Sequence, residues 1–246
     1  MECTLGMMAA FNQEIHVKTI GLIGGMSWES TAEYYRLMNQ EVRKRLWPLR
    51  SAQLLIHSVD FGPIAQAQHE GRWNDAGAML ADSARRLHAA GADAIVLCTN
   101  TMHKLAGTIA AATPLPFLHI ADPVGQAARG QGLRKLGLLA TAFTMEQAFL
   151  KDKLVQDYGL EIATPDGPTR AEVHRVIYEE LCQGIVRDAS RLFYQQAIAQ
   201  LQAQGCDAIV LGCTEISLLV QQGHSPLPLL DTTALHAKAA VDFALQ

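Results

Sequence analysis

Two short stretches of the sequence end in residues that can move a proton or hold a carboxylate. Residues 91–97 read GADAIVL and precede Cys98, Thr99, Asn100 and Thr101, and residues 205–211 read GCDAIVL and precede Gly212, Cys213, Thr214 and Glu215. Aligned without gaps, the two copies pair Thr99 with Cys213 and Cys98 with Gly212. A thiol, with an ordinary pKa of about 8.5, can act as acid or base near neutral pH. Two such side chains on opposite faces of a substrate are what inversion of a stereocentre requires.

Each copy is an apolar, β-branched run that turns polar at the same point. This pattern predicts a buried parallel strand whose C-terminal end leads into a helix, and ligands bind at such strand ends in open α/β sheets. Backbone N–H groups at the helix starts, together with Asn100, Thr101 and Thr214, predict a carboxylate site. The turn GGMS at residues 24–27 is a third such place. A helix start lowers the pKa of a thiol, but Glu215 would raise that of Cys213 unless its carboxylate is turned away.

Strands and helices alternate along the rest of the chain. Strands are predicted at residues 19–23, 53–59, 117–120, 135–141, 160–163 and 228–230, besides the two repeated ones. Helices are predicted from Ser27 or Ser30 to about residue 46, and at 61–90 with a break near Gly71 or Gly77, then at 101–112, 121–129, 144–157, 169–183, 187–204 and 232–246. This alternation predicts parallel sheets flanked by helices on both faces.

The repeat extends beyond the two strands. Residues 135–141 resemble residues 18–25, with Gly137 aligned with Gly21. We therefore expect two pseudo-symmetric lobes with an active site in the cleft between them. The predicted boundaries are 17–114 plus 224–246 for the first lobe and 115–223 for the second. Residues 1–16 are expected to be an N-terminal extension.

Composition excludes several classes of function. The chain has 246 residues, 20 Lys and Arg against 24 Asp and Glu, and a net charge of -4, and it shows no basic stripe of the kind that binds nucleic acid. Five scattered cysteines suggest reduced thiols, and no apolar run reaches the roughly 18 residues of a membrane span. The nine histidines are dispersed, so we expect no metal site. A cytoplasmic protein without nucleic-acid or membrane partners is predicted.

Four motifs together resemble the aspartate/glutamate racemase family. They are TIGLIGGMSWEST at residues 19–31, CTNTMH at 98–103, IYEEL at 177–181 and GCTEI at 212–216. The similarity runs from about Lys18 to the C-terminus, and the Cys-Thr pair resembles the broad-specificity Asp/Glu racemases of enteric bacteria. The resemblance implies two flavodoxin-like lobes, a cofactor-independent and PLP-independent isomerase of amino acids, a homodimer, and one catalytic Cys per lobe.

The chain departs from the family at the first catalytic position. The family has Cys-Asn-Thr followed closely by His, and here Thr99 stands in the place of that Cys, with Cys98 one residue earlier. Thr99, Cys213 and Cys98 are therefore the candidate catalytic residues. The resemblance further implies as substrate contacts Met26, Gln68, Asn100, Thr101, Thr214 and Glu215. Arg175 stands where aspartate racemases carry a basic residue, so it is a further candidate for binding a carboxylate.

Thr99 makes the predicted enzyme asymmetric, because a hydroxyl is a far weaker acid than a thiol and its conjugate base is costly to form. The leading interpretation is a two-base racemase for aspartate, glutamate or a broader range of amino acids. Two alternatives stay open. One is a related enzyme with a thiol in the cleft: a hydantoin racemase, a maleate isomerase or a malonate-type decarboxylase. The other is a carboxylate-binding protein without turnover. Cys3, Cys182 and Cys206 are expected to be inert.

Overall fold

Two four-stranded sheets form the framework of the protein. The computed structural model describes residues 17–246, so the predicted extension at 1–16 lies outside the described residues. The strand orders are β2-β1-β3-β4 and β6-β5-β7-β8, and every neighbouring pair is parallel. Helices flank both sheets. The predicted fold class, two similar parallel α/β lobes, is confirmed.

The first sheet and most of the helices around it are built from the N-terminal half of the described chain. In order, these elements are β1 (Ile20–Gly24), α1 (Trp28–Arg45), β2 (Leu54–Ser58), α2 (Phe61–His69), α3 (Trp73–Ala89), β3 (Ala94–Leu97), a 3-10 turn (Thr101–Leu105), α4 (Ala106–Ala110) and β4 (Phe117–Leu118). The predicted break in the helical stretch 61–90 occurs at Gly71, which has a φ of +74°, whereas Gly77 lies inside α3. Gly71 can take this left-handed conformation because it has no Cβ.

The second half repeats the order of elements. They are α5 (Ala121–Gly130), β5 (Lys135–Ala140), α6 (Ala142–Glu146), α7 (Phe149–Tyr158), β6 (Glu161–Ala163), α8 (Gly167–Glu179), a 3-10 turn (Leu181–Gln183), α9 (Asp188–Ala203), β7 (Ala208–Gly212), α10 (Ile216–Leu219), a 3-10 turn (Gln222–His224), β8 (Leu229–Asp231) and α11 (Thr232–Ala244). The helix predicted at 144–157 is in fact two helices, α6 and α7. Gln147 between them has extended backbone, with a ψ of 158°, which no α-helix accommodates.

Strand register gives the internal repeat a structural form. Gly21 on β1 pairs with Ile95 on β3, and Gly137 on β5 pairs with Ile209 on β7. These are the positions that the sequence alignment of the two copies makes equivalent. Since the polar residues follow the paired strands at the same distance in both lobes, Thr99 and Cys213 occupy corresponding positions of the two sheets.

The predicted lobe boundaries each misplace one strand. β4 at residues 117–118 pairs with β3 in the first sheet, although the boundary at 114 assigned it to the second lobe. β8 at residues 229–231 pairs with β7 in the second sheet, although 224–246 was assigned to the first. The apolar runs were recognised as strands, but the sequence does not reveal which sheet edge a short strand joins.

The helices that follow these two strands cross to the opposite lobe. On α11, Ala237, Ala240 and Val241 share a buried cluster with Tyr34 and Met38 of α1, so the last helix covers the first sheet. The final helix therefore folds back onto the first lobe, while the strand before it does not.

α5 makes the reciprocal crossing. Its residues Val124 and Ala128 lie in the buried core of the second lobe with Leu136 and Leu138 of β5. α5 and α11 also contact each other. Each lobe is therefore completed by a helix from the other, which holds the two sheets in a fixed relation around the cleft.

The turn after β1 brings the start of α1 to the cleft. Gly25 has a φ of +92°, and a Cβ at this position would lie 2.2 Å from the carbonyl oxygen of Val59. Only glycine fits such a close approach. The Ser27 side chain then accepts a hydrogen bond from the backbone N–H of Ser30 and caps α1.

Candidate active site

A cavity of about 70 Å³ lies between the C-terminal ends of strands from both sheets. Eight of the predicted site residues line it: Met26, Gln68, Thr99, Asn100, Thr101, Cys213, Thr214 and Glu215. The remaining lining residues are Ser27, Ser30, Phe61, Met102, Thr141, Ile177, Tyr178, Cys182 and Gly212. Because one water needs roughly 10–15 Å³ on this measure, the space suits a ligand with few heavy atoms.

Two predicted residues lie outside the cavity lining. Cys98 is 0% exposed in the core of the first lobe, and burial raises the pKa of its thiol. Arg175 lies on α8 and forms ion pairs with Glu172, Glu179 and Glu180 at 2.7, 3.2 and 3.0 Å. Its guanidinium is thus engaged by carboxylates of its own region, and a substrate would have to compete with them.

The Cys213 thiol is hydrogen-bonded to the carboxylate of Glu215. Its Sγ donates to Oε2 of Glu215 at 2.9 Å, and Oε1 of Glu215 accepts from the Ser27 hydroxyl at 3.3 Å. Burial, then the charge of Glu215, raises the pKa of Cys213 well above its ordinary value. The helix that follows, α10, has only four residues, so the expected lowering by a helix start is outweighed. At neutral pH the resting side chain is a thiol.

Thr99 is held by a buried imidazole. Nε2 of His103 accepts from the backbone N–H of Ile120 at 3.1 Å, so Nδ1 carries the proton and donates to the carbonyl oxygen of Thr99 at 2.7 Å. Burial lowers the pKa of His103 well below its ordinary value, which keeps the ring neutral. His103 is not among the residues that line the cavity, and both of its ring nitrogens bond to backbone groups, one of them on the loop that carries Thr99.

Asn100 lines the cavity and carries a buried acceptor that no described residue pairs. The Thr232 hydroxyl donates to the carbonyl oxygen of Leu211 at 2.9 Å, so it accepts from Nδ2 of Asn100 at 3.0 Å. This fixes the orientation of the amide. Oδ1 of Asn100 is buried without a hydrogen-bond partner within residues 17–246. A buried acceptor left unpaired is costly, so a donor on a ligand would be favoured there.

Hydroxyl groups join the two lobes across the floor of the cavity. The Ser30 hydroxyl donates to the carbonyl oxygen of Cys98 at 3.0 Å and accepts from the Thr214 hydroxyl at 2.7 Å. The Thr101 and Thr141 hydroxyls lie 3.3 Å apart. The small polar residues that follow both repeated strands therefore connect the lobes and also line the cavity.

Charge in the cavity is sparse and negative. Among the described residues that line it, none is Lys, Arg or His, and the one carboxyl group is that of Glu215. Hydroxyl, amide and backbone N–H donors are therefore what the cavity offers to a carboxylate.

Several lining residues were not singled out as site residues by the sequence. Cys182, expected to be inert, is an exposed thiol at the cavity, and Tyr178 beside it has its pKa raised to about 12 by burial and by the nearby thiols and carboxylate. Tyr178 lies within the motif at residues 177–181, and Cys182 directly follows it. This motif contributed to the family resemblance but did not indicate which of its side chains face the cleft. Ser30 was recognised only as a candidate helix cap, and Ser27 as a candidate cap and as part of the turn at residues 24–27.

No helix within residues 17–246 is long and apolar enough to cross a membrane. In the same part of the chain, no group of three or more His, Cys, Asp or Glu is arranged to hold a metal ion.

Comparison with known proteins gives consistent matches. The sequence model of the Asp/Glu/Hydantoin racemase family matches residues 23–240. The crystal structure of a candidate Asp/Glu racemase from Yersinia pestis is 51% identical, with a TM-score of 0.89, covering 93% of this chain and 100% of that one. An aspartate racemase homologue from Pyrococcus horikoshii OT3 is 28% identical, with a TM-score of 0.83 over 93% and 100%. A broad specificity amino-acid racemase of Bacillus subtilis is 26% identical over 166 residues, 66% of this chain and 69% of that protein.

Proposed function

The chain belongs to the Asp/Glu/hydantoin racemase family, and we propose that it is a cofactor-independent amino-acid racemase that interconverts L and D enantiomers by two-base proton transfer. Cys213 serves one face of Cα and Thr99 the other. Acidic amino acids are the first candidates, and a broader range of substrates is included. We further propose that this isomerase needs no PLP and acts as a cytoplasmic homodimer.

One observation carries the proposal: Thr99 and Cys213 line the same cavity from equivalent positions of two pseudo-symmetric lobes. A ligand between the sheets would have one proton-carrying group on each side. Removal of a proton from one face and its return to the other inverts the stereocentre. A single-lobe site would not offer this opposition.

The remaining lining groups suit an amino acid. The α-ammonium is a donor, and it matches the buried, unpaired Oδ1 of Asn100. The α-carboxylate matches the Thr101 hydroxyl and the backbone N–H groups that follow the two strands. The Thr214 hydroxyl would donate to it by giving up its hydrogen bond to Ser30. Gln68, with an amide at the cavity wall, and Met26 would contact the substrate side chain.

The two faces differ in chemistry. The Cys213 thiol can lose its proton at moderate cost, whereas a hydroxyl such as that of Thr99 resists deprotonation, so Thr99 donates or relays a proton better than it abstracts one. We therefore expect fast exchange of the Cα proton that faces Cys213 and slow exchange of the Cα proton that faces Thr99. Because two enantiomers have an equilibrium constant of one, kcat/KM for racemisation is the same in both directions and is limited by the Thr99 face.

Racemisation by a set of variants tests the proposal. Polarimetry or chiral chromatography over a panel of amino acids should show activity in the wild type, loss in Cys213→Ser, faster racemisation in both directions in Thr99→Cys, and little change in Cys98→Ser. Activity that survives Cys213→Ser would refute the assigned role. Light scattering would test the homodimer.

A malonate-type decarboxylase is the second candidate, and the single thiol of the opposed pair favours it. Loss of CO₂ creates the carbanion without a base, so only the Cys213 face would need to supply a proton. Release of CO₂ from a 2-substituted malonate, with no racemisation of amino acids, would favour the decarboxylase hypothesis. Binding of a carboxylate without either reaction would indicate a protein that has lost turnover.

A further inference from the structure

Glu215 lies against the sulfur atom that the proposed reaction uses. Its Oε2 accepts the Cys213 S–H at 2.9 Å, and its Oε1 accepts the Ser27 O–H at 3.3 Å. Ser27 uses its proton on Glu215 because its oxygen accepts from the backbone N–H of Ser30. The carboxylate is 8% exposed, and both of its oxygens are thus oriented by neutral donors.

No cation balances this carboxylate. None of the ion pairs within residues 17–246 includes Glu215. The other titratable groups near the thiol are Tyr178 on α8, Cys182 in the 3-10 turn that follows, and Tyr194 on α9. A further carboxylate, that of Glu29, lies near Cys182. Each of these is neutral or negative, so none of them favours the thiolate. A thiol in these surroundings ionises only if its proton moves to a nearby acceptor.

We propose that Glu215 is that acceptor, so that Cys213 and Glu215 work as one proton-sharing pair. The inference rests on the proposed function. It assigns Glu215 to the thiol, whereas the sequence resemblance assigned it to the substrate. The short contact between Sγ and Oε2, made in a cavity without lining cations, is the observation that carries it.

The proton transfers balance as follows. The S–H bond of Cys213 breaks and an O–H bond forms on Oε2 of Glu215. The thiolate electron pair takes the proton from Cα, so a C–H bond breaks, an S–H bond forms, and the electron pair stays on Cα beside the carboxylate. The Thr99 hydroxyl gives a proton to the opposite face and recovers one from water, while Glu215 releases its proton to water. In the reverse direction, the Thr99 hydroxyl gives its proton to water and its oxygen takes the proton from Cα. Cys213 then protonates the opposite face, and Glu215, which has taken a proton from water, returns a proton to sulfur.

Glu215→Gln tests the pair, because an amide of the same shape cannot take the proton and carries no charge. Two measurements are made: the pH dependence of Cys213 alkylation by iodoacetamide, followed on its own peptide by mass spectrometry, and kcat and KM for racemisation. We expect alkylation to begin at lower pH, since the carboxylate that disfavours the thiolate is gone, and kcat to fall by about 100-fold or more with KM within about twofold. A more reactive thiol in a slower enzyme is a combination that a merely structural role would not produce.

Matched variants complete the design. Glu29→Gln removes an exposed carboxylate that lies near Cys182 and does not line the cavity, and it should leave the alkylation profile, kcat and KM of the wild type. Glu215→Asp keeps an acceptor and should retain more activity than Glu215→Gln, and circular dichroism checks that each variant is folded.

Two results would overturn the inference. A raised KM with unchanged kcat in Glu215→Gln would make Glu215 a substrate contact, and an unchanged alkylation profile would show that thiol and carboxylate share no proton. The alkylation experiment needs no substrate. It therefore still tests the pair if the wild type racemises nothing, a result that would refute the proposed function alone.

Discussion

Replacing His103 by leucine removes two hydrogen bonds from the interior at once. The imidazole, 2% exposed, donates to the carbonyl oxygen of Thr99 and accepts from the backbone N–H of Ile120. Leucine fills a similar space but pairs with neither group. Leaving a buried polar group unpaired costs about 1–3 kcal/mol, so the two together should lower the free energy of unfolding by about 2–6 kcal/mol.

Urea unfolding followed by circular dichroism measures this loss. The control is His88→Leu, the same substitution at an exposed position of α3, which should change the free energy of unfolding by no more than about 0.5 kcal/mol. Because the lost bond holds the backbone of Thr99, Cα exchange that depends on the Thr99 face should slow by about 100-fold, a typical cost of misplacing a reacting group. Exchange at the Cys213 face should change much less.

Unfolding of His103→Leu at the same urea concentration as His88→Leu would contradict the predicted loss of stability. Equal loss of exchange at both faces in a folded variant would show that His103 supports the whole site rather than the loop of Thr99.

Three further predictions concern the framework of the site. Gly25→Ala should lower the melting temperature, because φ is +92° and the new Cβ would lie 2.2 Å from the carbonyl oxygen of Val59. The resulting strain is about 1–3 kcal/mol. An unchanged melting temperature would contradict this prediction. Burial lowers the pKa of His236 to about 4, so the unfolded chain, with a pKa of about 6.5, takes up this proton first as the pH falls. Between about pH 6.5 and 4 the free energy of unfolding should therefore drop by about 3 kcal/mol from this group, measured by urea titrations, and His236→Gln should remove that part of the slope. Cys98→Ala should lower the free energy of unfolding by about 1 kcal/mol. It should leave the rate of racemisation within about twofold, because the thiol is outside the cavity lining. Loss of turnover in a folded variant would contradict this prediction.

The internal repeat made most of the fold predictable. Two copies of an apolar run with a common polar end imply equivalent strands, and the pairing of Gly21 with Ile95 and of Gly137 with Ile209 follows the same alignment. The repeat does not show which of the two sheets β4 and β8 join. Both strands are two or three residues long, and their place at a sheet edge depends on helices that cross between the lobes.

The lining of the cavity divides in the same way. Residues directly after repeated strands, such as Thr99, Asn100 and Cys213, could be predicted because strand ends of parallel sheets meet at one edge. Cys182 could not, since it reaches the cavity from a 3-10 turn after α8, a segment outside the repeated strands. The direction in which a side chain points was also not available from the sequence: Glu215 is turned toward Cys213, and Arg175 toward carboxylates of its own region.

Incorporation of solvent deuterium at Cα, followed by NMR separately from L- and D-aspartate, tests the central claim most directly. A cleft with the Cys213 thiol on one face and the Thr99 hydroxyl on the other predicts fast exchange from one enantiomer and slow exchange from the other, with Thr99→Cys reducing the difference. Equal, fast exchange of both enantiomers by the wild-type protein would contradict it.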